Sequence, residues 1–141
     1  MNSNLLLRIA AVLAFTHCVM HTFGGILAPP RHGAEEIAVI ETMKTHHFNV
    51  MGSTRSYWDF FFGYGLFVTV FLLFYALILW HLGSLASANL PWIRPILVFL
   101  FLNFMVMAII SWKYFFLGPA LTEFLIALCV GWAMTKSSTQ A

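Results

Sequence analysis

The sequence predicts an all-α protein: a four-helix transmembrane bundle with one interfacial amphipathic helix after the first span. Three observations predict it. First, the 141 residues are 61% hydrophobic and only 9% charged, whereas a soluble domain carries about 25% charged residues. Such a chain cannot cover a globule with polar side chains. Second, apolar runs close to the roughly 20 residues that a helix needs to cross the hydrocarbon core recur at about 5–27, 57–80, 92–112 and 118–135. Third, the tryptophans mark the ends of those runs. Trp58 and Trp80 bracket the second, Trp92 and Trp112 the third, and Trp132 lies near the end of the fourth, at the headgroup level that indole prefers. The chain reads as a single integral membrane domain of residues 1–141 without an internal repeat.

The first span is defined by a stripe, Ala10, Ala14, His17, His21, Gly24 and Ala28, whose spacings alternate between four and three, as one helix face requires. Its other faces carry Leu, Ile, Val, Phe and Met. In lipid the bulky residues point to acyl chains and the small ones to other helices, so both imidazoles are expected to face a bundle. A signal peptide is the competing reading of an apolar run after Met1–Arg8. Two histidines inside it, and its length, argue for retention as a span.

Residues 28–56 form the long connection. Pro29-Pro30 should stop the first helix. From Gly33 to Met51, Ile37, Ile40, Met43 or Lys44, His47 and Met51 recur at helical spacing. Glu35 and Glu36 open that helix, and Lys44, His46 and His47 close it, which suits the helix dipole. We therefore expect a helix at about 33–51 lying on the membrane surface or covering the bundle, with a solvated loop as the plainer alternative. Ser56 and Asp59 have the spacing of a capping pair for the second span, and Gly63, one turn on, should allow a close helix contact. His81–Leu90 reads as a polar turn. The third and fourth spans are joined tightly at 114–119, with Pro119 in the first turn of the last helix.

The cationic side chains divide almost evenly: Arg8, Arg94 and Lys136 on one side, Arg31, Lys44, Arg55 and Lys113 on the other. The short basic N-terminal region favours both termini in the cytoplasm. A net charge of +2 without a basic cluster argues against nucleic acid. Cys18 and Cys129 make neither a metal spacing nor a CxxC pair, and two buried free thiols are expected.

On the side that carries 28–56, every span contributes a polar group at similar depth: His17 and His21, Asp59, Asn103 and Glu123. Ionisable groups in a span are costly and usually face a partner or a cavity. We therefore expect His17, His21, Asp59, Tyr64, Asn103 and Glu123 to line a pocket in the outer half of the bundle, with His46, His47 and Arg55 in its lid. Each has a plainer role as well: Asp59 as a cap, Glu123 near a helix N-terminus, the histidines and Asn103 as interhelical hydrogen-bond partners. Lys113 is expected to snorkel.

Three functions fit. One is a pocket for a small or amphipathic ligand such as a lipid, isoprenoid or quinone, with Tyr57, Phe61, Phe62 and Tyr64 in its wall. Another is a metal- or haem-binding oxidoreductase, with His17 and His21 at i, i+4 as metal ligands and Asp59 or Glu123 completing the set. A third is a structural or partner-binding subunit without catalysis. The residues leave open which cofactor, if any, is held and whether a reaction is catalysed. So much apolar surface is compatible with an oligomer.

His21-Thr22-Phe23-Gly24, then Arg55-Ser56-Tyr57-Trp58-Asp59-Phe60 and Gly63-Tyr64-Gly65, resemble an uncharacterised family of small bacterial four-span integral membrane proteins, mainly over the first half of the chain. In span number the chain is also similar to DoxX-like proteins and to the sterol-isomerase-like four-helix fold. The catalytic carboxylates of the latter find no match here. The resemblance implies a bacterial inner-membrane protein and no particular activity.

Overall fold

The computed structural model describes residues 2–136. The chain is largely helical. Helix α1 runs Ser3–His21 and passes into a π-helical turn, Thr22–Ile26. Helix α2, Ala34–Thr45, is followed by strands β1, His47–Val50, and β2, Ser53–Ser56. Helix α3 is assigned from Tyr57 to Tyr114 and α4 from Leu117 to Met134. Among the described residues three stretches are long and apolar enough to cross a membrane: Ser3–Ile26, Tyr57–Tyr114 and Leu117–Met134. This agrees with an integral membrane protein.

Two expected elements are corrected. The surface helix does not reach residue 51; it stops at Thr45, and residues 47–56 form an antiparallel hairpin pairing His47 with Ser56 and Val50 with Ser53. The reason lies in the turn. Met51 and Gly52 both have positive φ, 50° and 83°, the backbone that a two-residue hairpin connection of the right twist demands. Asn49 Oδ1 accepts a hydrogen bond from the Gly52 amide at 3.0 Å and fixes it.

The polar segment 81–90 is not a turn. It continues α3 as helix up to a single break at Asn89 (φ −155°, ψ 77°). Its serines are used sideways. Ser84 Oγ accepts from Arg8 Nη2 at 3.3 Å, and Ser87 Oγ accepts from Asn4 Nδ2 at 2.9 Å. The break falls two residues before Pro91, which has no amide to bond back to the carbonyl four residues earlier and whose ring crowds it. The chain turns back there: the Tyr75 and Phe104 ring centroids lie 5.1 Å apart, whereas an unbroken helix would hold them about 44 Å apart.

The chain falls into two compact units. One comprises the residues up to His17 with those from Leu72 onward, the other Cys18–Phe71. The first unit holds the apolar core. Leu6, Leu7, Ala10 and Ala14 of α1 are buried with Leu79, Leu82, Leu97, Phe104, Ile126 and Val130. Gly83 is buried against α1, and Gly131 faces the Phe101 ring. Ser3 Oγ donates to the Ala133 carbonyl at 3.1 Å. The Arg8 guanidinium lies 4.4 Å from the centroid of the Trp80 ring. The small residues Ala10 and Ala14 pack inward, as the stripe predicts, while Val12, Phe15 and many large side chains of α3 and α4 stay exposed, the inverse of a soluble protein and the arrangement lipid favours.

In the second unit the π-helical turn lies beside the start of α3. The His21 Nε2–H donates to the Gly65 carbonyl at 3.0 Å, which assigns the proton to that nitrogen because a carbonyl only accepts. Thr22 and Thr69 hydroxyls meet at 3.0 Å, and Cys18 Sγ donates to the Thr69 carbonyl at 3.4 Å. Gly65 is the glycine this contact needs, because a Cβ there would overlap Ile26 Cδ1. Gly63, expected to do this, has nothing within 4 Å of such a Cβ.

Candidate functional site

The cavity of the second unit is built by four short stretches. The π-helical turn contributes Gly24, Gly25 and Ile26; the segment after it contributes Ala28, Pro29, Pro30, Arg31 and His32. Helix α2 supplies Glu35, Glu36, Val39, Ile40 and Met43, and the first turns of α3 supply Trp58 and Phe61. Its volume is about 550 Å³, within the range of small-molecule pockets. The local sequence explains why a hollow forms. Five residues of π geometry widen the end of the first helix, a distortion that recurs at functional sites. Pro29 and Pro30 cannot continue the helix, so the chain leaves it and re-enters helix only at Ala34. Ile40 and Met43 belong to the apolar stripe expected on the surface helix, and they are half-buried here.

The corner above the cavity is held by one carboxylate. Glu36 Oε2 accepts from the Arg31 amide at 2.6 Å and the His32 amide at 2.7 Å, and Oε1 lies 3.3 Å from His32 Nδ1. The His32 amide and ring, then the Arg31 amide, keep the Glu36 carboxyl below its ordinary pKa, with partial desolvation opposing them. Among the described residues neither Arg31 nor Glu35 makes an ion pair. Both are exposed, whereas Ile26, Ile40, Met43 and Trp58 beneath them are half-buried. The cavity thus has an apolar floor and a charged mouth.

None of the polar and lid residues expected at the pocket, His17, His21, Asp59, Tyr64, Asn103, Glu123, His46, His47 and Arg55, lines this cavity. Asp59 is a cap: its amide is 3.2 Å from Ser56 Oγ and its Oδ2 accepts from the Ser56 amide at 2.8 Å, both halves of a capping box. Tyr64 is 66% exposed. His21 is engaged with Gly65 as described. In the first unit, Asn103 accepts from the Tyr75 hydroxyl at 3.3 Å and donates to Met107 Sδ at 3.3 Å; His17 is half-buried; Glu123 is buried. The lid residues serve the hairpin. His46 stacks on Tyr57 with centroids 6.0 Å apart, the His47 Nδ1–H donates to the Thr45 carbonyl at 2.9 Å, and Arg55 Nη1 donates to the Thr54 carbonyl at 2.8 Å.

Among the described residues no group of three His, Cys, Asp or Glu side chains is placed to hold a metal ion. Of the wall aromatics expected, Phe61 lines the cavity and Tyr57, Phe62 and Tyr64 do not. The sequence signal for this cavity is the run Gly24-Gly25 to Pro29-Pro30-Arg31-His32, helix breakers and charges between a span and an amphipathic helix. No protein-family model, curated protein or solved structure matches this chain.

Proposed function

We propose that the protein is a small integral membrane protein that binds a small or amphipathic ligand, a lipid, isoprenoid or quinone, in the cavity beneath α2. The observation that carries this reading is the cavity itself: an apolar floor of half-buried Ile26, Ile40, Met43 and Trp58 beside a mouth bearing the exposed Arg31, His32 and Glu35. That is the polarity profile of an amphipathic molecule. Its place suits such a molecule too, because Ile26 ends one apolar stretch and Trp58 lies at the start of the next. In this reading α3 crosses the bilayer twice, turning at Asn89, so that the chain makes four crossings as a four-helix bundle. Both termini are in the cytoplasm of a bacterial inner membrane.

Native mass spectrometry of the purified full-length protein tests the binding. A co-purified ligand in the wild type that is lost when Ile40→Trp fills the cavity supports it. Unchanged ligand occupancy in that variant overturns it. Single cysteines at Lys44 and Ser84 test the topology; labelling of both from the same face of the membrane would contradict the four-crossing arrangement.

A second reading, a non-catalytic structural subunit, draws on a different observation. His21, Cys18, Thr22, Tyr75 and Asn103 are all used in hydrogen bonds within their own unit, as expected of polar residues that hold helices together.

A further inference from the structure

The geometry points to a zwitterionic phospholipid headgroup of the phosphoethanolamine type as the polar part of the ligand, its phosphate on Arg31 and its ammonium on Glu35, with the acyl chains over Ile26, Ile40 and Phe61. This inference rests on the cavity being a ligand site, as proposed above, and adds the class of molecule.

Charge complementarity carries the assignment. Four ionisable residues stand at the mouth: Arg31, His32, Glu35 and Glu36. Glu36 is spent on the two amides and the His32 ring. One cation, Arg31, and one anion, Glu35, remain outside any ion pair among the described residues, and they do not pair with each other. A guanidinium offers two parallel donors that match a phosphate. An ammonium supplies three donors to a carboxylate. A singly anionic headgroup would satisfy Arg31 but place its charge beside Glu35 and Glu36. A quinone is uncharged and would cover both Arg31 and Glu35 without pairing either, at the cost of desolvating them. A ligand that carries both signs answers both residues. The floor favours a lipid over a free soluble zwitterion, because Ile26, Met43, Trp58 and Phe61 would otherwise face water.

The test uses purified full-length protein in detergent, titrated separately with phosphatidylethanolamine, phosphatidylglycerol and decylubiquinone and read by native mass spectrometry. The expected result is tightest binding of phosphatidylethanolamine, weakened about tenfold by Arg31→Gln and by Glu35→Gln, as the loss of one charge-assisted hydrogen bond implies. Ile40→Trp should abolish it, with Val39→Trp on the same wall replacing that variant if it fails to fold. Phosphatidylglycerol binding as tightly as phosphatidylethanolamine, or a Glu35→Gln variant that binds phosphatidylethanolamine unchanged, overturns the headgroup assignment. If the tryptophan variants still abolish decylubiquinone binding in that case, the cavity reading stands and the headgroup alone falls. If the tryptophan variants leave every probe bound as before, both fall.

Discussion

Gly83 is where helix packing in the first unit is most sensitive to a single side chain. A Cβ at this position would lie 3.3 Å from Arg8 Cγ, 3.3 Å from the Asn4 carbonyl oxygen and 3.5 Å from Leu7 Cβ. One of these neighbours is backbone and cannot rotate away. Two hydrogen bonds flank the contact, Asn4 to Ser87 and Arg8 to Ser84. Gly83→Leu adds three further carbons where the first already crowds α1, so α1 must shift. Overpacking of this kind costs about 1–3 kcal/mol, and losing the two flanking hydrogen bonds adds about 0.6 kcal/mol each. The helix propensity gained by replacing glycine returns about 0.8 kcal/mol. The net is a loss of about 1–3 kcal/mol, which for a chain of this size lowers Tm by about 4–10 °C. Thermal melting in detergent, followed by circular dichroism, reads the shift. Gly63→Ala is the control, because a Cβ there meets nothing within 4 Å; it should melt at or slightly above wild type. A Gly83→Leu protein within about 1 °C of wild type, or a Gly63→Ala protein that falls as far, would refute the packing argument.

Other perturbations test the second unit. Ser56→Ala removes the oxygen that the Asp59 amide reaches and should cost about 1 kcal/mol, visible as faster hydrogen exchange in the first turn of α3. Glu36 titrates below its ordinary range, so its hold on the Arg31 and His32 amides is complete above the unfolded carboxylate pKa, about 4.3. That hold is lost as the pH falls through the lower folded value. Exchange protection of those two amides should therefore vanish at acid pH, and Glu36→Gln should remove this dependence. Met51 is fully exposed at the hairpin tip with φ 50°. Met51→Asn, which tolerates that backbone better, should stabilise the hairpin by about 0.5–1 kcal/mol; slower exchange of the β1–β2 amides would show it, and faster exchange would contradict it.

The sequence by itself determined the broad class of object. Composition dictates that large apolar residues stay outside, and Phe15, Phe67 and Phe99 do. Helical spacing told that Ala10 and Ala14 of α1 turn inward, but not that Leu6 and Leu7 do so too or that Gly24 of the same stripe stays exposed. The Ser56–Asp59 cap was legible because capping acts over three residues of one segment. What depends on partners distant in sequence was not legible. Ser84 and Ser87 have the composition of a turn, and only their hydrogen bonds to Arg8 and Asn4 make them helix residues. Gly63 and Gly65 are equivalent as letters; only the position of Ile26 decides which one matters. The hairpin escaped because residues 47–51 carry a helical spacing by chance, while the positive φ at Met51 and Gly52 is a property of the turn. The cavity escaped for the same reason. Its wall is a helix end loosened to π geometry, a corner tied by Glu36 and the first turns of another helix, and a hollow is defined by separate segments meeting in space rather than by the depth of polar residues along any one of them.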